Sequence, residues 1–457
     1  MDFSLVNSLT IQSVSRPQDH ERPARSLPDE IMAEIFEFSR PAMAEATSNA
    51  DEDVLHPSIS RALVPFRLGA VCRRWREITV TESTLWNYIA VPTLDNITYG
   101  SRAARLLEYI QLALIRSRSV PIDIVFGFLE DADRDHYSLL IAALERARSR
   151  WRILAATFSG FGAAASLLGA LHHSTPMLRT LQLAYQVSRH ASSVMAHDSL
   201  VENENTLPDA TQLQHLVLAN VVISVPMSTR LHTYWLSRWL LAGSSFWPTL
   251  SAMPNLRSLT IWTDYVLEGT QPGQPIMLEH LHTLQLMFGA DHLGHALCGC
   301  LKMPNLSTLV QRAGDLRYTA PLFRQYADSL RTLHLQNRVL ITDDGVDALL
   351  QLRAVHSVGF TLCPVPRLLF ECLVWRHGTA SVLWPRLEVL MLDGPVIEAG
   401  DAQPLVLFAR ERAHTDGPQD QDGRPLWSRL EIRWSERTRL PEADLEQLRS
   451  SRIAPAV

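Results

Sequence analysis

Lysine is almost absent from this chain. Of 42 basic residues only Lys302 is a lysine, so the side chains offer a single primary amine. Cysteine is sparse, five residues over a long chain. That odd, scattered set excludes a secreted disulfide framework and points to an intracellular protein, cytoplasmic, nuclear or both. An excess of positive charge is missing too. The net charge is −6, which excludes non-specific nucleic-acid binding, because that needs a basic field. The chain begins Met1-Asp2-Phe3, without the basic and apolar regions of a secretory signal. A charge-free run at 153–171 is nearly long enough to span a bilayer. It is rich in Ala, Gly and Ser, with Gly160 and Gly162 near its middle, and reads as a strand followed by a short buried helix. No membrane partner is expected.

Hydrophobic residues make up 46% of the 457 residues and charged residues 20%, enough for a large buried core. Residues 1–25 are polar, lack periodicity and read as a disordered leader. A helix start follows at Ser26-Leu27-Pro28-Asp29-Glu30. Ser26 can cap it, proline suits the first turn, and the acids favour the helix dipole. Ile31, Ile35 and Phe38 recur at i, i+4 and i+7, with Met32 and Phe36 beside them. Arg40-Pro41 ends the helix. Residues 41–60 read as a solvated loop. A second helix is expected over 68–80, with Leu68, Val71, Cys72, Trp75 and Ile78 on one face. Leu85-Trp86, Tyr88, Ile89 and Val91 close the unit. A linker helix is expected within 92–119, with Leu106, Leu107, Ile110 and Leu114 inward. A short strand is expected at 122–126 and a helix at about 136–149.

The remainder, 120–440, carries the pattern L-x-x-L-x-L. It occurs at Leu178/Leu181/Leu183, Leu213/Leu216/Leu218, Leu256/Leu259/Ile261, Leu281/Leu284/Leu286, Leu330/Leu333/Leu335 and Leu387/Leu390/Leu392. Weaker copies are Trp151/Leu154/Ala156, Leu306/Leu309, Val355/Val358/Phe360 and Trp427/Leu430/Ile432. From Leu256 to Val355 the successive spacings are 25, 25, 24 and 25 residues, inside the leucine-rich-repeat range. Elsewhere most spacings stretch, so insertions are present. The Asn or Cys expected three residues after the last leucine is absent, which predicts a degenerate array. The fold class read here is mixed α/β: a small all-α module, then a leucine-rich-repeat-like α/β solenoid, with a C-terminal helix or tail at 441–457. The insertions 184–212 and 219–254 are candidates for specificity, since loops carry binding. Arg230, Trp235, Arg238 and Trp239 form a candidate contact patch, or a buried helix.

Residues 26–91 resemble an F-box. The matching stretches are Leu27-Pro28-Asp29-Glu30-Ile31, Glu34-Ile35-Phe36, Val71-Cys72-Arg73-Arg74-Trp75-Arg76 and Leu85-Trp86. With the repeats that follow, the chain is similar to the large F-box families of mushroom-forming fungi. The 41–60 loop is longer than the family's usual connection, and closing a longer loop costs little. The resemblance implies a non-catalytic substrate receptor of a cullin–RING ubiquitin ligase. It implies two partners, the Skp adaptor and a protein substrate, and no cofactor. Leu27, Pro28, Ile31, Ile35, Val71, Trp75 and Trp86 would make or support the adaptor interface. The scarcity of lysine would leave such a receptor few sites for self-modification, although a codon bias towards arginine produces the same composition.

Catalytic and cofactor signals are weak. Gly160-Phe161-Gly162-Ala163-Ala164-Ala165 fits a loose dinucleotide-binding form. The acid required about 20 residues on is missing, however, so it reads as a turn within a repeat. His292, His295, Cys298 and Cys300 lie close together, but no second Cys/His cluster accompanies them, and they read as a return helix. No P-loop, H-E-x-x-H or G-x-S-x-G motif occurs.

Overall fold

The computed structural model describes residues 27–41, 58–93, 99–130, 134–158, 161–185, 207–221, 223, 230–237, 243–262, 272–287, 293–374, 384–395, 402–413, 430–435 and 446. The expected leader and, save one residue, the expected C-terminal tail lie outside these.

The chain opens with helices α1 (Asp29–Phe38), α2 (Ile59–Ala62), α3 (Val64–Gly69) and α4 (Arg73–Thr81) and a 3-10 turn at Ser83–Trp86. The expected single helix over 68–80 is therefore two. The chain turns at Ala70–Val71, and Cys72 restarts it as an N-cap, its sulfur accepting from the Trp75 amide at 3.5 Å. The unit is not wholly helical either. Its last residues form β1 (Tyr88–Val91), the first strand of the main sheet. Consecutive apolar residues at 88–91 are buried on both faces, which suits a strand inside a parallel sheet.

Next come α5 (Tyr99–Arg116), β2 (Ile122–Leu129), α6 (Arg134–Glu145), β3 (Trp151–Phe158), α7 (Phe161–Leu171) and β4 (Thr180–Tyr185). The charge-free run thus resolves into β3 and α7. Among the described residues no helix is long and apolar enough to cross a membrane. Strands β5 (His215–Ala219), β6 (Thr233–Ser237), β7 (Ser258–Trp262), β8 (Ile276–Met277), β9 (Thr283–Met287), β10 (Leu301–Lys302), β11 (Thr308–Arg312), β12 (Thr332–Gln336), β13 (Ser357–Thr361), β14 (Val389–Asp393) and β15 (Glu431–Trp434) follow. Between them lie α8 (Gly243–Ser251), α9 (Leu293–Cys300), α10 (Ala320–Gln325), α11 (Asp343–Leu350), α12 (Arg367–Leu373) and α13 (Ala402–Ala413).

All strands except β8 and β10 join one open, parallel sheet whose spatial order is the sequence order. Strands β8 and β10 pair with each other. The leucine pattern explains the register. Leu259, Leu284, Leu309, Leu333, Val358, Leu390 and Ile432 are successive Cα partners. All are buried in one continuous apolar cluster with α1 and the return helices. A strand alternates its faces, so these residues point one way and the residues immediately before and after each of them the other.

One strand was not legible from the leucine pattern. The 43-residue gap from Leu213 to Leu256 contains Leu231/Tyr234/Leu236, and all three are buried. Tyr234 stands where the pattern calls for leucine, which hid the copy. Residues 233–237, within the expected contact patch or buried helix, therefore form β6 instead. Trp235 is 7% exposed and meets the Trp262 ring edge-on at 6.0 Å, while Arg238 and Trp239 lie outside the described residues. The weak copy Leu306/Leu309 has Gln311 at its third inward position. That side chain is buried and accepts from Thr319 Oγ1 at 2.7 Å.

The strand ends do not need the missing Asn or Cys. Asn220, Ala313, Asn337 and Leu362 directly follow β5, β11, β12 and β13 with φ of 54°, 59°, 57° and 52°. Each amide donates to the carbonyl of the last residue of the next strand. Left-handed backbone turns the chain while keeping its donor satisfied.

Candidate functional site

Helix α1 begins differently from the expectation. Pro28 is the N-cap residue, and its carbonyl accepts from the Met32 amide at 3.1 Å. Asp29 and Glu30 occupy the first turn, where acids suit the positive end of the dipole. Ser26 lies outside the described residues. The helix stops at Phe38, and Ser39 Oγ donates to the Phe36 carbonyl at 2.7 Å.

The helix carries two apolar stripes, and the structure buries only one. Met32 and Phe36 are buried, Phe36 at 1% exposure, and Phe36 packs its ring 4.7 Å from Trp75 on α4. Ile31, Ile35 and Phe38 lie outward at 42%, 45% and 89% exposure. Pro28 is exposed and Leu27 half-buried at the start of the helix. Val71, on the turn before α4, is 60% exposed. Six of the fourteen exposed large apolar residues among the described ones lie between Ile31 and Val80. Apolar exposure is thus concentrated on this unit, as it is at interaction surfaces.

Trp75 and Trp86 are scaffold rather than surface. Trp75 is half-buried against Phe36. Trp86 is 2% exposed, and its Nε1 donates to the Thr79 carbonyl at 2.7 Å. Its ring meets Phe66 edge-on at 5.1 Å and lies 4.4 Å from the Arg116 guanidinium. An aromatic with its polar atom satisfied is a stable core anchor.

Two arginines whose partners the sequence did not reveal hold α1 in place. Arg74 Nε donates to Asp29 Oδ1 at 2.9 Å, and its Nη2 to the Leu27 carbonyl. The pair is largely solvated, so it contributes only about 0–1 kcal/mol. Arg40 is buried. Its Nη1 donates to the Thr84 carbonyl and its Nη2 to Asn87 Oδ1, both at 2.9 Å. Burial lowers its pKa, with repulsion from Arg61 second. The Asn87 carbonyl in turn accepts the Asp123 amide at the start of β2. Arg40 therefore ties the end of α1 to the first strands of the sheet.

His292 and Gly160 lie outside the described residues. On α9, Cys300 is buried, and burial pushes the Cys298 thiol up to about 12. A protonated thiol is a poor metal ligand or nucleophile. Among the described residues no group of three His, Cys, Asp or Glu side chains could hold a metal.

No curated protein matches the chain. Residues 24–91 match the family model described as F-box-like, so the module of α1–α4, the 3-10 turn and β1 is an F-box-like domain.

Proposed function

We propose that this protein is the substrate-recognition subunit of an SCF-type cullin–RING ubiquitin ligase. The observation that carries the reading is the outward face of α1 in an F-box-like domain. There an apolar stripe is held in solvent although a second stripe on the same helix fills the core. A Skp-type adaptor would cover Leu27, Pro28, Ile31, Ile35 and Val71, with Trp75 and Trp86 supporting them from inside. We read residues 26–91 as the docking domain, 92–119 as the linker and 120–440 as a leucine-rich-repeat-like solenoid that holds a protein substrate. Such a receptor acts by proximity, inside the cell, and its own side chains perform no bond chemistry. The family resemblance is to the expanded F-box proteins of mushroom-forming fungi.

The test is binding of the full chain to a purified Skp adaptor, wild type against Ile31→Asp/Ile35→Asp. The full chain is needed because α1 and the sheet share one core and β1 pairs with β2. Both isoleucines are exposed, so the variant keeps its fold. Binding lost in the variant supports recruitment. A folded wild type with no adaptor affinity overturns it and leaves an interaction scaffold without ligase recruitment.

A further inference from the structure

The strands of the main sheet start in register from β4 to β13, from Thr180 through to Ser357. The residue just before each strand therefore forms a row along one edge of the sheet. Arg179, His232, Arg257, His282, Arg331 and His356 take six of its eight places, and Gln214 and Ser307 take the others. The backbone of the row is fixed. The Arg179, Arg257 and Arg331 carbonyls, for example, each accept two amides from the next strand at 2.7–3.0 Å.

Arg179, Arg257, His282 and Arg331 are exposed, and His232 and His356 half-buried. Among the described residues none of the three guanidinium groups is ion-paired. Asp209, Glu279 and Asp328 lie on the segments leading into this edge, but no carboxylate enters the row itself until Glu388, before β14. A chain of net charge −6 thus presents a confined basic edge.

The spacing is regular. Neighbouring strands lie about 4.8 Å apart, and the three arginines are three strands apart, so about 14 Å separates each from the next. An extended peptide rises about 3.4 Å per residue, so four residues cover the same distance on one face. We propose that this edge binds an extended, acidic segment of the substrate, with carboxylates at i, i+4 and i+8 meeting Arg179, Arg257 and Arg331. The imidazoles between them are hydrogen-bond partners for the intervening residues. The choice of "substrate" rests on the receptor reading; the acidic chemistry rests on the row alone. A nucleic acid fits less well, because its high charge density is repelled by the net negative chain.

The experiment titrates the full chain into a labelled peptide of about fourteen alternating Glu and Ser residues, long enough to span the three arginines at about 3.4 Å per residue. Binding should weaken as salt rises from about 50 to 200 mM. Arg257→Glu/Arg331→Glu should weaken it about ten-fold or more, because charge reversal at a complementary surface adds repulsion to the lost contact. Arg324→Glu/Arg410→Glu carries the same change in net charge on exposed return-helix residues and should change it less than about two-fold. Equal loss in both variants, no binding by wild type, or equal affinity for polyuridylate would each overturn the proposal. Adaptor affinity, measured on the same preparations, reports on the receptor reading separately.

Discussion

Residues 35 and 36 are neighbours on α1 with opposite surroundings, and that contrast supports a sharp prediction. Phe36 is 1% exposed and packs on Trp75. Phe36→Ala removes a buried ring and leaves a cavity, which costs about 3–5 kcal/mol. Loss of the tilted ring pair accounts for about 0.5–1.5 kcal/mol of that order. Ile35 is nearly half exposed, so Ile35→Ala should change stability by no more than about 0.5 kcal/mol. If the outer face docks the adaptor, the same substitution removes a central apolar contact worth about 2 kcal/mol. That is about a thirty-fold loss of affinity, since 1.4 kcal/mol is ten-fold. Urea unfolding and adaptor titration of the two variants give four numbers. Phe36→Ala should fail chiefly in the first assay and Ile35→Ala only in the second. A large stability loss for Ile35→Ala, or an unchanged adaptor affinity, refutes the assignment of the two faces.

Three further outcomes follow from the packing. Thr319→Val leaves the buried Gln311 oxygen without its hydroxyl donor and should cost about 1–3 kcal/mol, whereas Gln311→Leu/Thr319→Val restores the apolar pattern and should recover most of it; thermal melts of the cycle decide. Gly294→Ala places a Cβ 2.2 Å from the Tyr318 carbonyl oxygen, so the chain must shift and the melting temperature should fall, while Gly299→Ala on the same helix meets nothing within 4 Å and should not lower it. At pH 8, iodoacetamide should label the exposed Cys72 in the native protein, but not Cys298, whose thiol is held near 12 by burial; peptide mapping that finds Cys298 labelled as fast as Cys72 would refute its burial.

The leucine spacing and the motifs of the F-box-like module were legible because they are local. A leucine at every second or third position determines which face of a strand turns inward, and four short stretches mark the N-terminal module. Helix α1 was equally legible as a helix. Its orientation was not, because Ile31-Ile35-Phe38 and Met32-Phe36 are both plausible inward stripes. Only packing against Trp75 selected the second and left the first in solvent. The same limit hid β6. Tyr234 breaks the leucine pattern, and only pairing with Leu216 and Leu259 on either side reveals its register. The partners of Arg40 and Arg74 carried no signal, since they lie 44–47 residues away. Gln311 looked like a missing leucine until the fold brought Thr319 to it. The basic edge, too, exists only in three dimensions, because Arg179, Arg257 and Arg331 are scattered in sequence and lined up by strand register. Sequence by itself determined the alternation of inward and outward residues, which depends on neighbours in the chain. The tertiary structure decided which surfaces stay open to partners, because burial depends on contacts between segments far apart in it.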